Sequence, residues 1–108
     1  MQEQMMVELV EGILKIMSNR LVSIVLYGSV ARGTASDDSD VDVALFVNGG
    51  LDTDIEDKLS DFIVDMNLKY DKVFSVIDID FANYKKWEHV TPFYKNVEQD
   101  GIVLWKAA

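Results

Sequence analysis

Two short runs, Leu21–Tyr27 (LVSIVLY) and Val41–Val47 (VDVALFV), constrain the fold of this chain more than anything else in it. Both are rich in β-branched and aliphatic side chains. Gly28 stops the first and Asn48-Gly49-Gly50 stops the second, so both read as buried strands. Buried strands need apolar cover, and a chain of 108 residues can bury roughly two-thirds of its unfolded surface, enough for one modest core. The flanking sequence supplies that cover. Met5, Met6, Leu9, Val10, Ile13, Ile16 and Met17 recur at helical spacing, with Gly12 as a weak point. Leu51, Ile55, Leu59, Phe62, Ile63 and Met66 define a second helix over 53–69, and Thr53-Asp54-Ile55-Glu56 has the form of a capping box at its start. Lys72–Ile79 reads as a third strand. Asp80 is placed to cap a helix reaching about His89, and Thr91-Pro92 suits the N-cap and first turn of another. Gly101 then stops the chain's last helix before a short strand, Ile102–Trp105. The order α-β-β-α-β-α-α-β, without repeat or linker, predicts a single α/β domain over 1–108. Its small mixed sheet should have three or four strands, with helices packed mostly on one face.

Charge narrows the function. Ten basic against nineteen acidic residues give a net charge of −9. Such a surface repels a phosphate backbone, so direct nucleic-acid binding is not expected unless another chain supplies basic surface. A basic protein partner is easier to accommodate, and a homo-oligomer is compatible with the sequence. No apolar run approaches the roughly 20 residues of a membrane helix, and Met1-Gln2-Glu3-Gln4 lacks a basic leader region, so a cytoplasmic location is the simplest expectation. With no cysteine and only His89, a thiolate or multi-histidine metal site is excluded. Any metal must be held by carboxylates, as suits Mg²⁺, Mn²⁺ or Ca²⁺.

The chemistry concentrates between the first two strands, in Gly28-Ser29-Val30-Ala31-Arg32-Gly33-Thr34-Ala35-Ser36-Asp37-Asp38-Ser39-Asp40-Val41-Asp42. Gly28-Ser29 ends a buried strand where the backbone can turn sharply and offer N–H groups and a hydroxyl to an anion. Asp40 and Asp42, two apart at the start of a strand, project from one face. Their mutual repulsion is relieved if a divalent cation lies between them. A lone Gly-Ser is an ordinary turn, and D-x-D alone is weak in a chain rich in aspartate. Their conjunction at this spacing is far rarer than either part.

The pattern G-S-x10-D-x-D, with Ala31-Arg32-Gly33 inside it, closely resembles the minimal nucleotidyltransferases of the DNA polymerase β superfamily, over roughly Met5 to Ile79. The resemblance implies a metal-dependent enzyme that moves a nucleoside monophosphate from an NTP, with ATP the first expectation, to an acceptor with release of pyrophosphate. By that resemblance Gly28 and Ser29 grip the nucleotide phosphates, and Asp40 and Asp42 bind Mg²⁺ or Mn²⁺. Arg32 stands where a basic residue would hold phosphate, or else pairs at the surface with Asp37 or Asp38. Proteins of this kind often accompany a small helical HEPN-type partner. The alternative readings are therefore an antitoxin-like binding module and a catalytically silent regulator of such a partner.

The resemblance also implies a third carboxylate on the strand after the next helix, from Asp71, Asp78 or Asp80. A β-α-β unit places parallel strands with their starts at one end. Asp71 is then expected beside Asp40 and Asp42 as a catalytic and metal-binding residue. Asp78, seven residues further and about 23 Å along a strand, is expected at the far edge. Asp80 is left as a helix cap. His89 is expected to be exposed or packed rather than catalytic. The aromatics Tyr84, Trp87, Phe93, Tyr94 and Trp105 are expected to pack mainly against the sheet, with a subset available to a partner. The acidic residues Asp52, Asp54, Glu56, Asp57, Asp61 and Asp65 are expected to be the solvated face of the second helix.

Overall fold

The apolar stripe of the first helix sets the architecture. In the computed structural model, which describes residues 3–34 and 40–108, α1 (Glu3–Met17) buries Met5, Leu9, Ile13 and Met17, one residue per turn along a single face. A 3-10 turn, Ser18–Arg20, leads into β1 (Leu21–Tyr27). A five-residue helix, α2 (Gly28–Arg32), follows directly, where the sequence suggested only a turn. After β2 (Val41–Val47) come α3 (Thr53–Tyr70), β3 (Phe74–Asp80), α4 (Phe81–Trp87), α5 (Pro92–Asp100) and β4 (Ile102–Lys106).

The four strands form one mixed sheet in the order β3-β2-β1-β4. The two runs that read as buried strands pair with each other, antiparallel, from Leu21 opposite Val47 to Tyr27 opposite Asp42. β3 lies parallel to β2, with Val41 opposite Phe74 and Asp42 opposite Ser75, so the β-α-β unit forms as expected. β4 closes the other edge, antiparallel to β1.

Alternation along the strands divides the interior between the two faces. Ile24, Leu26, Val41, Val43, Leu45, Val47 and Phe74 pack with α1 and α3. Val25, Ala44, Phe46 and Ile79 face the opposite way, toward α4 and α5, with Val97 and the rings of Tyr27, Phe81, Tyr84, Phe93 and Tyr94. The two long helices therefore share one face, and the two short ones cover the other with aromatic side chains. The ring of Tyr84 sits edge-on to Phe46 with centroids 4.6 Å apart, and Phe93 meets Tyr27 edge-on at 5.6 Å. Trp87 is exposed.

Gly12, a weak point by helix propensity, faces Phe62 of α3. A Cβ there would lie 2.1 Å from Cζ of Phe62, so the ring occupies the space that a side chain would need. One turn earlier on α1, the Glu8 carboxylate accepts from the Lys69 ammonium and the Tyr70 hydroxyl at the end of α3. These bonds hold the Glu8 carboxyl below the usual carboxylate range, Lys69 the largest cause and Tyr70 the next.

Two element starts differ from the sequence reading. The cap of α3 is Asp52, one residue before the proposed box; its carboxylate accepts from Ile55 N–H at 2.9 Å. β3 begins at Phe74 rather than Lys72. Asp71 takes a left-handed conformation (φ 50°), Lys72 N–H bonds the Asn67 carbonyl, and Phe74 N–H bonds the Asn67 side chain at 2.8 Å, which makes 71–73 the turn out of α3. Asp80 and Thr91 occupy N-cap positions, but neither side chain makes a capping hydrogen bond.

Candidate active site

The end of β1 turns because Gly28 adopts φ +75°, a conformation costly for residues with a side chain. The chain enters α2 at once and leaves it through Gly33, also left-handed at φ +76°. Thr34 N–H closes the unit on the Ser29 carbonyl at 3.0 Å. Gly28 and Ser29 thus form the first turn of a short helix, whose leading N–H groups lack helical partners.

Asp42 lies opposite Tyr27 on one side and Ser75 on the other, on the sheet face that also carries Ala44 and Phe46. Its carboxylate reaches Gly28 so closely that a Cβ there would lie 2.3 Å from Oδ2. The glycine is therefore required twice, by backbone conformation and by close approach. Burial raises the Asp42 carboxyl above the ordinary aspartate range, the negative charge of Asp40 raises it further, and Arg32 partly offsets both. Burial, and then the Asp42 charge, likewise lift the Tyr27 phenol above its usual range. Asp40 is exposed at the lip of the corner, just before β2. Arg32 ends α2 and pairs with Asp100 of α5 at 3.6 Å. Asp37 and Asp38, the surface partners considered for it, lie outside the described residues.

The structure thus brings Gly28, Asp40, Asp42 and Arg32 to one corner, with Ser29 next to Gly28. It does not bring Asp71 into that group. Asp71 does sit at the correct end of the sheet, as parallel strands require. It belongs, however, to the turn that ends α3, a helix packed on the opposite face from Asp42. Among the described residues no three Asp, Glu, His or Cys side chains are arranged to hold a metal ion. Asp78 is excluded by more than distance. It pairs with Leu45, faces α3 and lines a groove with Glu56, Ser60 and Ile63. His89 is exposed, with Glu88 3.5 Å away. Sequence reasoning missed Tyr27, Ser75 and Asp100. The first two could have been found by strand alternation once the start of β3 was known.

A divalent metal can be tested against this corner by its donor set. Asp40 and Asp42 offer hard carboxylate oxygens two residues apart at the start of β2, the type of donor that suits such an ion. The residues present fit such an ion with two carboxylates.

A four-stranded mixed sheet between helices thus sets a Gly-Ser corner against a D-x-D strand start. The nucleotidyltransferase domain family matches residues 9–104, and the chain belongs to that family. It is a nucleotidyltransferase by that membership, a class that uses divalent metals. No curated protein matches the chain. Among solved structures it is similar to a toxin–antitoxin crystallised with AMP-PNP, at 20% identity and a TM-score of 0.65, over 94% of this chain and 73% of that one. It is also similar to a chain of the tri-AMPylated HEPN toxin in complex with MNT antitoxin from Shewanella oneidensis, at 18% identity and a TM-score of 0.62, over 99% and 74%. A third is the toxin–antitoxin MntA-HepT, at 18% identity and a TM-score of 0.60, over 98% and 74%. At these identities the likeness is one of fold. Among the described residues, no helix is long and apolar enough to cross a membrane.

Proposed function

We propose that the chain transfers a nucleoside monophosphate, AMP first among them, from an NTP to an acceptor on a helical HEPN-type protein partner in the cytoplasm. The family match carries the reaction class. The contact between the Gly28 backbone and the Asp42 carboxylate supports the site, because it joins the phosphate-binding turn to the acidic strand start. Gly28 and Ser29 hold the triphosphate through backbone N–H groups and the Ser29 hydroxyl. Arg32, anchored by Asp100, adds positive charge beside it. Asp40 and Asp42 hold Mg²⁺ or Mn²⁺, which when bound neutralises charge on the phosphates and lowers the barrier to displacement at phosphorus. The acceptor oxygen forms a bond to the α-phosphorus as the α–β bridging P–O bond breaks. Pyrophosphate leaves, and the acceptor proton passes to solvent. The carriage of AMP and the partner class are suggested by the toxin–antitoxin neighbours with AMP-PNP and with an AMPylated HEPN toxin.

One observation favours a second reading. The residue opposite Asp42 on β3 is Ser75, not a carboxylate, as suits a catalytically silent regulator that binds its partner through the same fold. Incubation with each of four NTPs and Mg²⁺, with and without the HEPN-type partner, followed by intact-mass analysis, separates the two. Added nucleoside monophosphate on either chain, absent in Asp42→Asn, supports transfer. An unmodified complex with all four nucleotides supports the silent regulator.

A further inference from the structure

Resting on that reading of the Asp40–Asp42 corner, we propose that, among the described residues, the metal centre has only two protein carboxylates. Ser75 fills the third flank, and the cation is bound chiefly together with the nucleotide triphosphate. The argument is one of register and parity. Among the described residues β3 is the neighbour of β2 on that side, and its residue level with Asp42 is Ser75. Paired residues of adjacent strands project to the same side, so Ser75 shares the face of Asp42, with strands about 4.8 Å apart. The other flank is Tyr27, an uncharged phenol. Among the described residues, the three aspartates that flank or follow Ser75 on this segment occupy other positions. Asp71 is in the left-handed turn at the end of α3. Asp78 is three residues beyond Ser75, about 10 Å along the strand and on the opposite face. Asp80 ends the strand as the N-cap of α4.

Two carboxylates form an incomplete shell for a hard cation. Mg²⁺ in such sites keeps waters and is completed by substrate phosphates. This chain therefore has a low intrinsic affinity for the ion, and the triphosphate on Gly28-Ser29 supplies the missing oxygens. A carboxylate at position 75 would raise the ligand charge and convert the corner into a site that holds the ion alone.

The test is Mn²⁺ binding to the full chain, measured by the electron paramagnetic resonance of free Mn²⁺, with and without a non-hydrolysable ATP analogue. The parent should bind Mn²⁺ weakly alone and at least about tenfold more tightly with the analogue, after the Mn²⁺ that the analogue takes up in a protein-free control is subtracted. Ser75→Asp should tighten nucleotide-free binding by about tenfold or more, and its melting temperature should rise with Mn²⁺ more than the parent's does. Asp78→Asn should match the parent. Because three like charges could unfold Ser75→Asp, the exchange variant Asp42→Ser/Ser75→Asp keeps the carboxylate count at two. It should regain Mn²⁺ binding that Asp42→Ser loses. Tight nucleotide-free binding by the parent overturns the proposal. So does parent-like affinity in Ser75→Asp, or failure of the exchange variant to improve on Asp42→Ser. If Asp42→Ser itself binds Mn²⁺ and analogue like the parent, the Asp40–Asp42 corner is not the site, and the functional reading fails instead.

Discussion

Gly28 and Gly33 offer an internally controlled experiment. Both are left-handed, at φ +75° and +76°. An added Cβ would meet nothing within 4 Å at Gly33, whereas at Gly28 it would meet Asp42 Oδ2 at 2.3 Å and Cγ at 3.2 Å. Alanine at either position carries the same backbone strain, about 1 kcal/mol. At Gly28 it must also drive the carboxylate back by about 1 Å to reach ordinary van der Waals contact. A displacement of that size at a reacting centre costs on the order of 10²-fold in rate. Urea unfolding followed by tryptophan fluorescence should therefore show Gly33→Ala less stable by about 1 kcal/mol and Gly28→Ala by at least as much. Affinity for a fluorescent NTP analogue with Mn²⁺, and the rate of transfer, should fall steeply only in Gly28→Ala. If Gly28→Ala binds and transfers like the parent, or if Gly33→Ala loses as much, the contact with Asp42 is incidental and Gly28 is merely a turn.

Three further outcomes follow from the packing. Gly12→Ala should gain about 1 kcal/mol of helix propensity but lose about 1–3 kcal/mol by overpacking against Phe62, for a net loss in denaturant midpoint. Glu8, held below its ordinary pKa by Lys69 and Tyr70, contributes stability above its unfolded pKa that is lost as pH falls through the lower folded value. Glu8→Gln should accordingly flatten the acid limb of the melting-temperature profile, and an unchanged limb would show the clamp to be inert. Asp71→Gly should relieve the left-handed strain at the end of α3, stabilising the fold by about 0.5–1 kcal/mol while leaving transfer intact. Loss of transfer there would restore Asp71 to the active site.

The strand pair that carries the site was legible because both runs are apolar, β-branched and ended by glycine, and such segments have few alternatives to a buried sheet. The parallel placement of β3 was legible from the intervening helix. The start of β3 was not. Side chains alternate with period two, so displacing the start of β3 by two residues preserves parity but removes Asp71 from the strand altogether. What displaces it is the Asn67 side chain bonding Phe74 N–H, together with the left-handed Asp71, contacts that hydrophobic patterning does not encode. Gly12 was read as a flaw in a helix because propensity is local, whereas its reason is the Phe62 ring on α3. Arg32 shows the same limit. Its partner, Asp100, comes from α5 on the far side of the sequence.

A crystal structure of the chain with Mn²⁺ and a non-hydrolysable ATP analogue, recorded at a wavelength where Mn²⁺ scatters anomalously, tests the site most directly. The account predicts an anomalous peak between Asp40 and Asp42, sharing phosphate oxygens with a triphosphate seated on Gly28 and Ser29, and Ser75 on its flank without a carboxylate. A peak in the Asp78 groove beside α3, or a triphosphate bound away from Gly28-Ser29, would contradict it.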